Sequence, residues 1–356
     1  MGKPAGLKKI RLRTWQKVTL WLLAFVLTAW GISTSVADIV RYASYYSYAY
    51  VKADPEAEPK KFIKWAEFKV PYSALERAMN YDIKSHKEGG EVSWIQLFAL
   101  LAVKYGGNWK RYSYKDMDAF YTKLKNGESV ENTAKSKYYP YFLEVYTAVL
   151  GGFLGWHKTE AADPQDKTKI VISERYGLKA FSPIASGYYY SEYDDFGTSR
   201  NYGYKRRHLG HDMLGSIGTP IIAVEGGEVT ECGWNQYGGW RVGIRTLDTK
   251  RYYYYAHLRK DHPFGAGIEK GKKVQAGDVI GYMGMTGYSA KENVNNIDVP
   301  HLHFGLQLIF DESQVKGSSE IWIDVYALTN LLKKNKMPTA YDKETKDHTR
   351  KYNFIF

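Results

Sequence analysis

The spacing of apolar and polar positions changes several times along the chain, and each change marks a different kind of element. Val18–Val36 holds no charged side chain and is mostly apolar. As a helix rising about 1.5 Å per residue it spans roughly 28 Å, close to the hydrocarbon thickness of a bilayer. A Tyr-rich polar stretch ending in "DPEAEPKK" follows and reads as a stalk over 37–61. From Phe62 onward, apolar residues recur every three or four positions. "YSALERAMNYDIKSH", "SWIQLFALLAVKY" and "SKYYPYFLEVYTAVLGGFLGWH" therefore predict helices, the second with Ser93 as its N-cap and Gly106–Gly107 as its stop. The charged run "KTEAADPQDKTK" reads as a linker. Beyond it, short β-branched and aromatic runs separated by glycines predict strands, among them "TPIIAVEGGEVTECGW", "WRVGIRTL", "RYYYYAHL" and "PHLHFGLQLIF". "EIWIDVYALTNLLKK" predicts a closing helix, and the polar tail after it shows no clear period.

The expected fold is an α+β multi-domain chain. A basic tail (1–17) and a transmembrane anchor (18–36) lead through the stalk to an all-α region (62–155). A linker (156–171), an all-β antiparallel domain (172–310) and a C-terminal helix and tail (311–356) complete it. Charge orients this arrangement. Lys3, Lys8, Lys9, Arg11, Arg13 and Lys17 precede the apolar run with no acidic residue among them. The positive-inside rule then keeps the N-terminus in the cytoplasm and places the rest outside, as a single-pass membrane protein. A cleaved signal peptide is the rival reading, and it also exports the bulk of the chain. Those six charges account for half of the net +12, and the remainder is spread along the chain. That excludes a nucleic-acid footprint and suits an anionic wall or membrane surface. A lone Cys232 permits no internal disulfide. The 32 tyrosines suit either sugar contact or half-buried strands.

Candidate chemistry lies in three places. In "VPHLHFGL", His301 and His303 are two residues apart on a strand and so share one face, with Leu302 turned to the core. "RRHLGHDMLG" supplies His208 and Asp212, and "YYYYAHL" ends on His257. Imidazole with carboxylate suits a divalent zinc ion. Each fragment alone is weak, but three of them on successive β segments point to one groove.

These motifs, in this order, resemble the lysostaphin-type (LytM-like) zinc metallopeptidases that cut peptide crosslinks of bacterial peptidoglycan. The likeness runs from Tyr202 to Leu308 and includes "GTPIIAVEGGEV", "GWNQYGGW" and "KVQAGDVIGYMGMTG". It implies Zn2+ held by His208, Asp212 and His303, with His257 and His301 as non-ligand catalytic histidines. Tyr202 or Tyr204 would fill the family's tyrosine position. The implied activity is a zinc metalloendopeptidase acting on peptidoglycan peptides through a zinc-activated water. A non-catalytic scaffold or activator of the same fold is the alternative, although such relatives usually show a replaced ligand. The loop "YSAKENVNNIDVP" looks longer than the family's minimum and would border the groove, while Asp298 is a candidate partner for a ligating imidazole. His86, His157, His211, His262 and His348 match no family position and read as structural.

The helical region resembles the lysozyme-like domains of cell-wall hydrolases at "ALLAVKYGG", which places Lys104 where a catalytic Glu would stand. A lysine cannot replace a carboxylic acid as proton donor to a glycosidic oxygen. The region is then a lysozyme-like domain without its acid, or an unrelated bundle.

Overall fold

Why the middle of the chain folds around one helix is visible in its composition: "WIQLFALLAVKY" is apolar on nearly every side. A helix of that kind is stable only when surrounded. The computed structural model describes residues 62–130, 134–201 and 205–355, and in it this segment is α2 (Trp94–Tyr105), preceded by α1 (Tyr72–Lys87). It is followed by α3 (Tyr114–Lys125) and α4 (Tyr139–Leu150). Leu97, Phe98, Ala99, Leu100, Leu101 and Ala102 are all sealed from solvent. The Ser93 side chain accepts from Ile95 N at 3.2 Å, and Gly106 ends the helix in the left-handed region at φ 63°. Both ends are as the sequence predicts.

The β-rich part begins with a hairpin, β1 (Leu154–Ala162) and β2 (Ile170–Leu178). This corrects the linker expected over 156–171. Charged residues are compatible with a strand pair whose arms lie largely in solvent, since the ladder hydrogen bonds need no apolar burial. Then follow β3 (Tyr190–Glu192), β4 (Ser199–Asn201), β5 (Lys205–Arg207), β6 (His211–Gly215), β7 (Pro220–Ile222) and β8 (Gly227–Asn235). Next come β9 (Gly239–Thr246), β10 (Arg251–Ala256), β11 (Lys273–Val274), β12 (Val279–Tyr282) and β13 (His301–Leu308). The main sheet runs β11-β8-β9-β10-β13-β6-β3, antiparallel throughout, with β14 (Ile321–Trp322) added to β13. The closing helix is shorter than expected. α5 is Tyr326–Leu332, because the residues before it pair as β14 and the Asp324 carboxylate receives Tyr326 N at 2.9 Å to start the helix there. The tail contributes β15 (Thr339–Tyr341), β16 (His348–Arg350) and β17 (Phe354–Ile355), the last pairing with β1.

The helices are not a separate bundle. Residues of α2 and α4 share one continuous apolar core with Tyr253, Tyr255, Phe304 and Leu306 of the sheet. Alternate tyrosines of "RYYYYA" thus turn inward, as half-buried strands require. One buried cation joins the two layers. Arg251 on β10 donates to Glu225 Oε2 at 2.7 Å, to Asp248 Oδ2 at 2.7 Å and to the Ala148 carbonyl near the end of α4 at 2.8 Å. Gly152 is required beside it, because a Cβ there would lie 1.4 Å from Glu225 Oε1.

The anchor predicted over 18–36 lies outside the described residues. Among those described, no helix is long and apolar enough to cross a membrane.

Removing one member of a buried charge cluster strands the others, at a cost of about 3–5 kcal/mol. Arg251→Leu is expected to lower stability by that order. Urea denaturation of the variant beside wild type checks it, and an unchanged midpoint would show that Arg251 does not join the layers.

Candidate metal centre

The strand register builds the site. β13 lies between β10 and β6, and within that ladder His303 faces Asp212 on one side and Ala256 on the other. Directly paired residues project to the same face, so a carboxylate and an imidazole far apart in sequence become neighbours. His301 projects to that face two residues earlier, and Leu302 between them is buried in the core. His257 follows the end of β10 with a positive φ of 62°, a turn that swings its ring back toward His301. The two rings are 4.8 Å apart, with His303 5.9 Å from His257. Gly210 is needed for closeness, since a Cβ there would stand 2.5 Å from the His303 ring.

His208 completes the cluster from the loop before β6. Asp212 Oδ1 lies 3.0 Å from His208 Nε2 and 2.9 Å from His303 Nδ1, and the two nitrogens are 3.0 Å apart. No other group of ligand-type side chains among the described residues converges in this way. Zinc with tetrahedral bonds of about 2.0–2.1 Å spaces its ligand atoms roughly 3.3 Å apart, so the triangle needs to open by only a few tenths of an ångström. Two imidazole nitrogens and one carboxylate oxygen are also the donor set zinc prefers. The residues fit the metal.

Electrostatics keep these groups in ligand form. Burial alone would raise the Asp212 carboxyl, but hydrogen bonds with His208 and His303 outweigh it and hold the group well below the usual carboxylate range. Burial lowers His303 against the opposing pull of Asp212. It lowers His257 well below the ordinary imidazole value, with His301 and His303 adding to the effect. Both rings are therefore neutral near pH 7.

The non-ligand histidines also have assigned tautomers. His257 Nδ1 donates to the Thr286 carbonyl at 2.8 Å, and His301 Nδ1 donates to the Val299 carbonyl at 2.8 Å. A carbonyl only accepts, so each ring carries a proton on Nδ1, and in its neutral form leaves Nε2 bare. His301 Nε2 is 3.9 Å from Asp212 Oδ1, which puts that lone pair beside the three ligand atoms.

Two partners were not read from the sequence. Asp195 Oδ1 lies 3.0 Å from His208 Nδ1, off the axis of a good hydrogen bond but close enough to favour a proton there. Arg200 on β4 holds the other oxygen of Asp212 at 3.1 Å and also donates to Asp195. Their loop is tied to the ligand by backbone bonds, Gly197 N to His208 O at 2.7 Å and His208 N to Thr198 O at 2.9 Å. Nothing periodic in "YDDFGTSR" marks these residues, because their role depends on a loop path. Asp298, the candidate for this position, is exposed.

Tyr202 and Tyr204 lie outside the described residues. The remaining histidines sit away from the centre. His211 is buried against Thr329 and Glu192, its pKa lowered by that burial to about 4, and His262 pairs with Asp347. His157, His86 and His348 contact Arg175, Asp82 and Thr339. Lys104 is engaged by Asp116 at 2.6 Å, which leaves no free acid at the end of α2. The loop over 288–300 is pinned sideways: Asn293 Oδ1 accepts from Trp240 Nε1 and from Asp261 N, each at 2.9 Å. The centre remains open, with 18% of the His303 side chain and 16% of Asp212 exposed.

Residues 206–316 match peptidase family M23. The chain is 36% identical over 152 residues to the L-Ala–D-Glu endopeptidase of Bacillus subtilis, covering 40% of this chain and 45% of that one. It is 38% identical over 98 residues to lysostaphin of Staphylococcus staphylolyticus, covering 27% and 18%. The chain thus spans less than half the length of these curated relatives. Among solved structures, the lytM protein of Ruminococcus gnavus aligns at 23% identity over 75% of this chain and 90% of that one, with a TM-score of 0.48.

If His208 is oriented by Asp195, Asp195→Ala is expected to weaken zinc affinity about 10–100-fold, the usual cost of losing such a partner. His303→Ala is expected to abolish stoichiometric binding. Competition with a chromophoric chelator measures both, and wild-type affinity in either variant would refute the assignment.

Proposed function

We propose that this chain, whose residues 206–316 form a peptidase family M23 domain homologous to lysostaphin, is a zinc-dependent endopeptidase hydrolysing peptide crosslinks of bacterial peptidoglycan. One observation carries the reading: His208, Asp212 and His303 converge within hydrogen-bond distance, while His257 and His301, each bonded through Nδ1 to a backbone carbonyl, stand beside them. Membership of a peptidoglycan endopeptidase family supports the substrate class. The N-terminal sequence supports an anchor at 18–36 that holds the domain outside the cytoplasm.

His208, Asp212 and His303 are the residues that would hold zinc. When bound, the ion would acidify a water and polarise the scissile carbonyl. The chain's own groups supply the rest. His257, kept neutral by burial, and His301 are the candidate bases, each ring fixed by a carbonyl bonded to its Nδ1, so that proton uptake on Nε2 needs no reorientation. Once protonated, either imidazolium has two uses: stabilising negative charge on the substrate oxygen, or returning the proton to the leaving amine. Arg200 occupies Asp212 Oδ2, leaving Oδ1 as the ligand oxygen.

A scaffold of the same fold without catalysis predicts a weakened ligand set, and here all three positions are filled by ligand-type residues. Purified protein supplied with zinc is expected to bind about one equivalent and to release soluble fragments from peptidoglycan, both prevented by a chelator. His301→Ala and His257→Ala are expected to retain zinc while losing roughly 10²–10⁴-fold in rate, the range for a positioned acid–base group. Metal analysis beside mass spectrometry of digested muropeptides tests this. Neither zinc nor cleavage in wild type would leave the scaffold reading instead.

A further inference from the structure

Among the described residues, most buried or half-buried arginines of the β-rich region have a carboxylate partner, and Arg259, which lacks one, donates to the His262 carbonyl at 3.2 Å and lies over the Tyr282 ring. Arg200 meets Asp195 and Asp212, Arg241 meets Glu231 at 3.1 Å, and Arg251 meets Glu225 and Asp248. Arg206 on β5 does not. Its guanidinium donates to the Tyr288 hydroxyl and lies 5.0 Å from the centre of that ring, and among the described residues no carboxylate stands within ion-pair distance of it. A guanidinium has five N–H donors in a planar fork, and among the described residues a single phenol oxygen leaves most of them unsatisfied.

The position of this cation is informative. The Tyr288 ring it rests on is 5.7 Å from His257, one of the two non-ligand histidines. Arg206 thus stands on the wall of the metal groove, against the aromatic ring that borders His257. Tyr288 belongs to the segment after "MTG", and its backbone is held there by Tyr288 N donating to the Tyr237 carbonyl at 3.3 Å and by Asn296 Nδ2 donating to the Tyr288 carbonyl at 2.7 Å.

We infer that Arg206 is a specificity residue receiving a free carboxylate of the substrate beside the scissile bond, so that the site takes acidic peptides in preference to uncharged ones. The inference rests on the endopeptidase reading above and narrows its substrate class. A planar carboxylate can accept two parallel bonds from the fork, and in a half-buried groove such a charge-assisted contact discriminates against a carboxamide by about 10–100-fold.

The test uses the full chain loaded with zinc and one soluble muropeptide mixture in two forms. One form is native, and the other has its carboxylates converted to methylamides with carbodiimide and excess methylamine. Wild type is expected to show kcat/KM about 10–100-fold higher on the native form. Arg206→Gln is expected to lower the native value to that of the amidated form with zinc content and melting temperature unchanged. Arg206→Lys, which keeps the charge but not the fork, is expected to retain part of the preference. Equal rates of wild type on both forms would overturn the inference while leaving the endopeptidase reading intact. So would a preference that survives in Arg206→Gln, since it would then belong to the general basic charge of the protein. Cleavage of neither form by wild type would refute the endopeptidase reading itself, and this inference with it.

Discussion

The pairing of His303 with Asp212 across two adjacent strands is the constraint on which the rest of the site depends. It sets the face on which chemistry occurs, because side chains in a ladder alternate with a period of two and a slip of one residue would send both into the core. Leu302 and Met213, fully buried from the other face of the same two strands, oppose such a slip. The apolar core and the metal ligands are thus two faces of one register. His257 enters through β10 on the far side of β13, and His208 through the loop before β6, so every group in the centre is referred to the same three strands.

A second constraint is electrostatic. Three ligand-type atoms about 3 Å apart are tolerable only if the imidazoles stay neutral and the carboxylate stays charged. Burial supplies the first condition at His303, and the hydrogen bonds of Asp212 supply the second. The carbonyls of Thr286 and Val299 then settle which nitrogen of His257 and His301 is bare. Outside this inner set, Asp195 and Arg200 tie a loop to the ligands, and Arg206 leaves positive charge on the groove wall. Charge is therefore layered: anionic at the ligands, cationic around them.

The helical layer serves the site from a distance. It buries the back of the sheet through a shared core, and Arg251 joins α4 to β10, the strand that carries His257 at its end. Where the comparison with lysozyme-like domains would require an acid, the end of α2 instead forms the ion pair of Lys104 with Asp116. The observed role of this region is packing.

Sequence by itself determined the local elements and offered the candidate residues of the site. The all-apolar α2 with its Ser93 and Gly106 caps, the short strands separated by glycines from β7 to β13, and the shared face of His301 and His303 follow from short-range rules that need no knowledge of the rest of the chain. The motif order carried the assignment of His208, Asp212, His303, His257 and His301. Only the tertiary structure decided what depends on long-range pairing. Residues 158–169 look like a linker because polarity reports burial, yet an exposed hairpin is held by backbone bonds that polarity does not record. The expected C-terminal helix lost its first residues to β14 because β13 had an edge to fill. Asp195, Arg200 and Arg206 acquire meaning only from the path of loops, and the tautomers of His257 and His301 only from carbonyls brought to them by the fold. Spacing along the chain encodes which side chains face together; which distant backbone or loop meets them is set by packing.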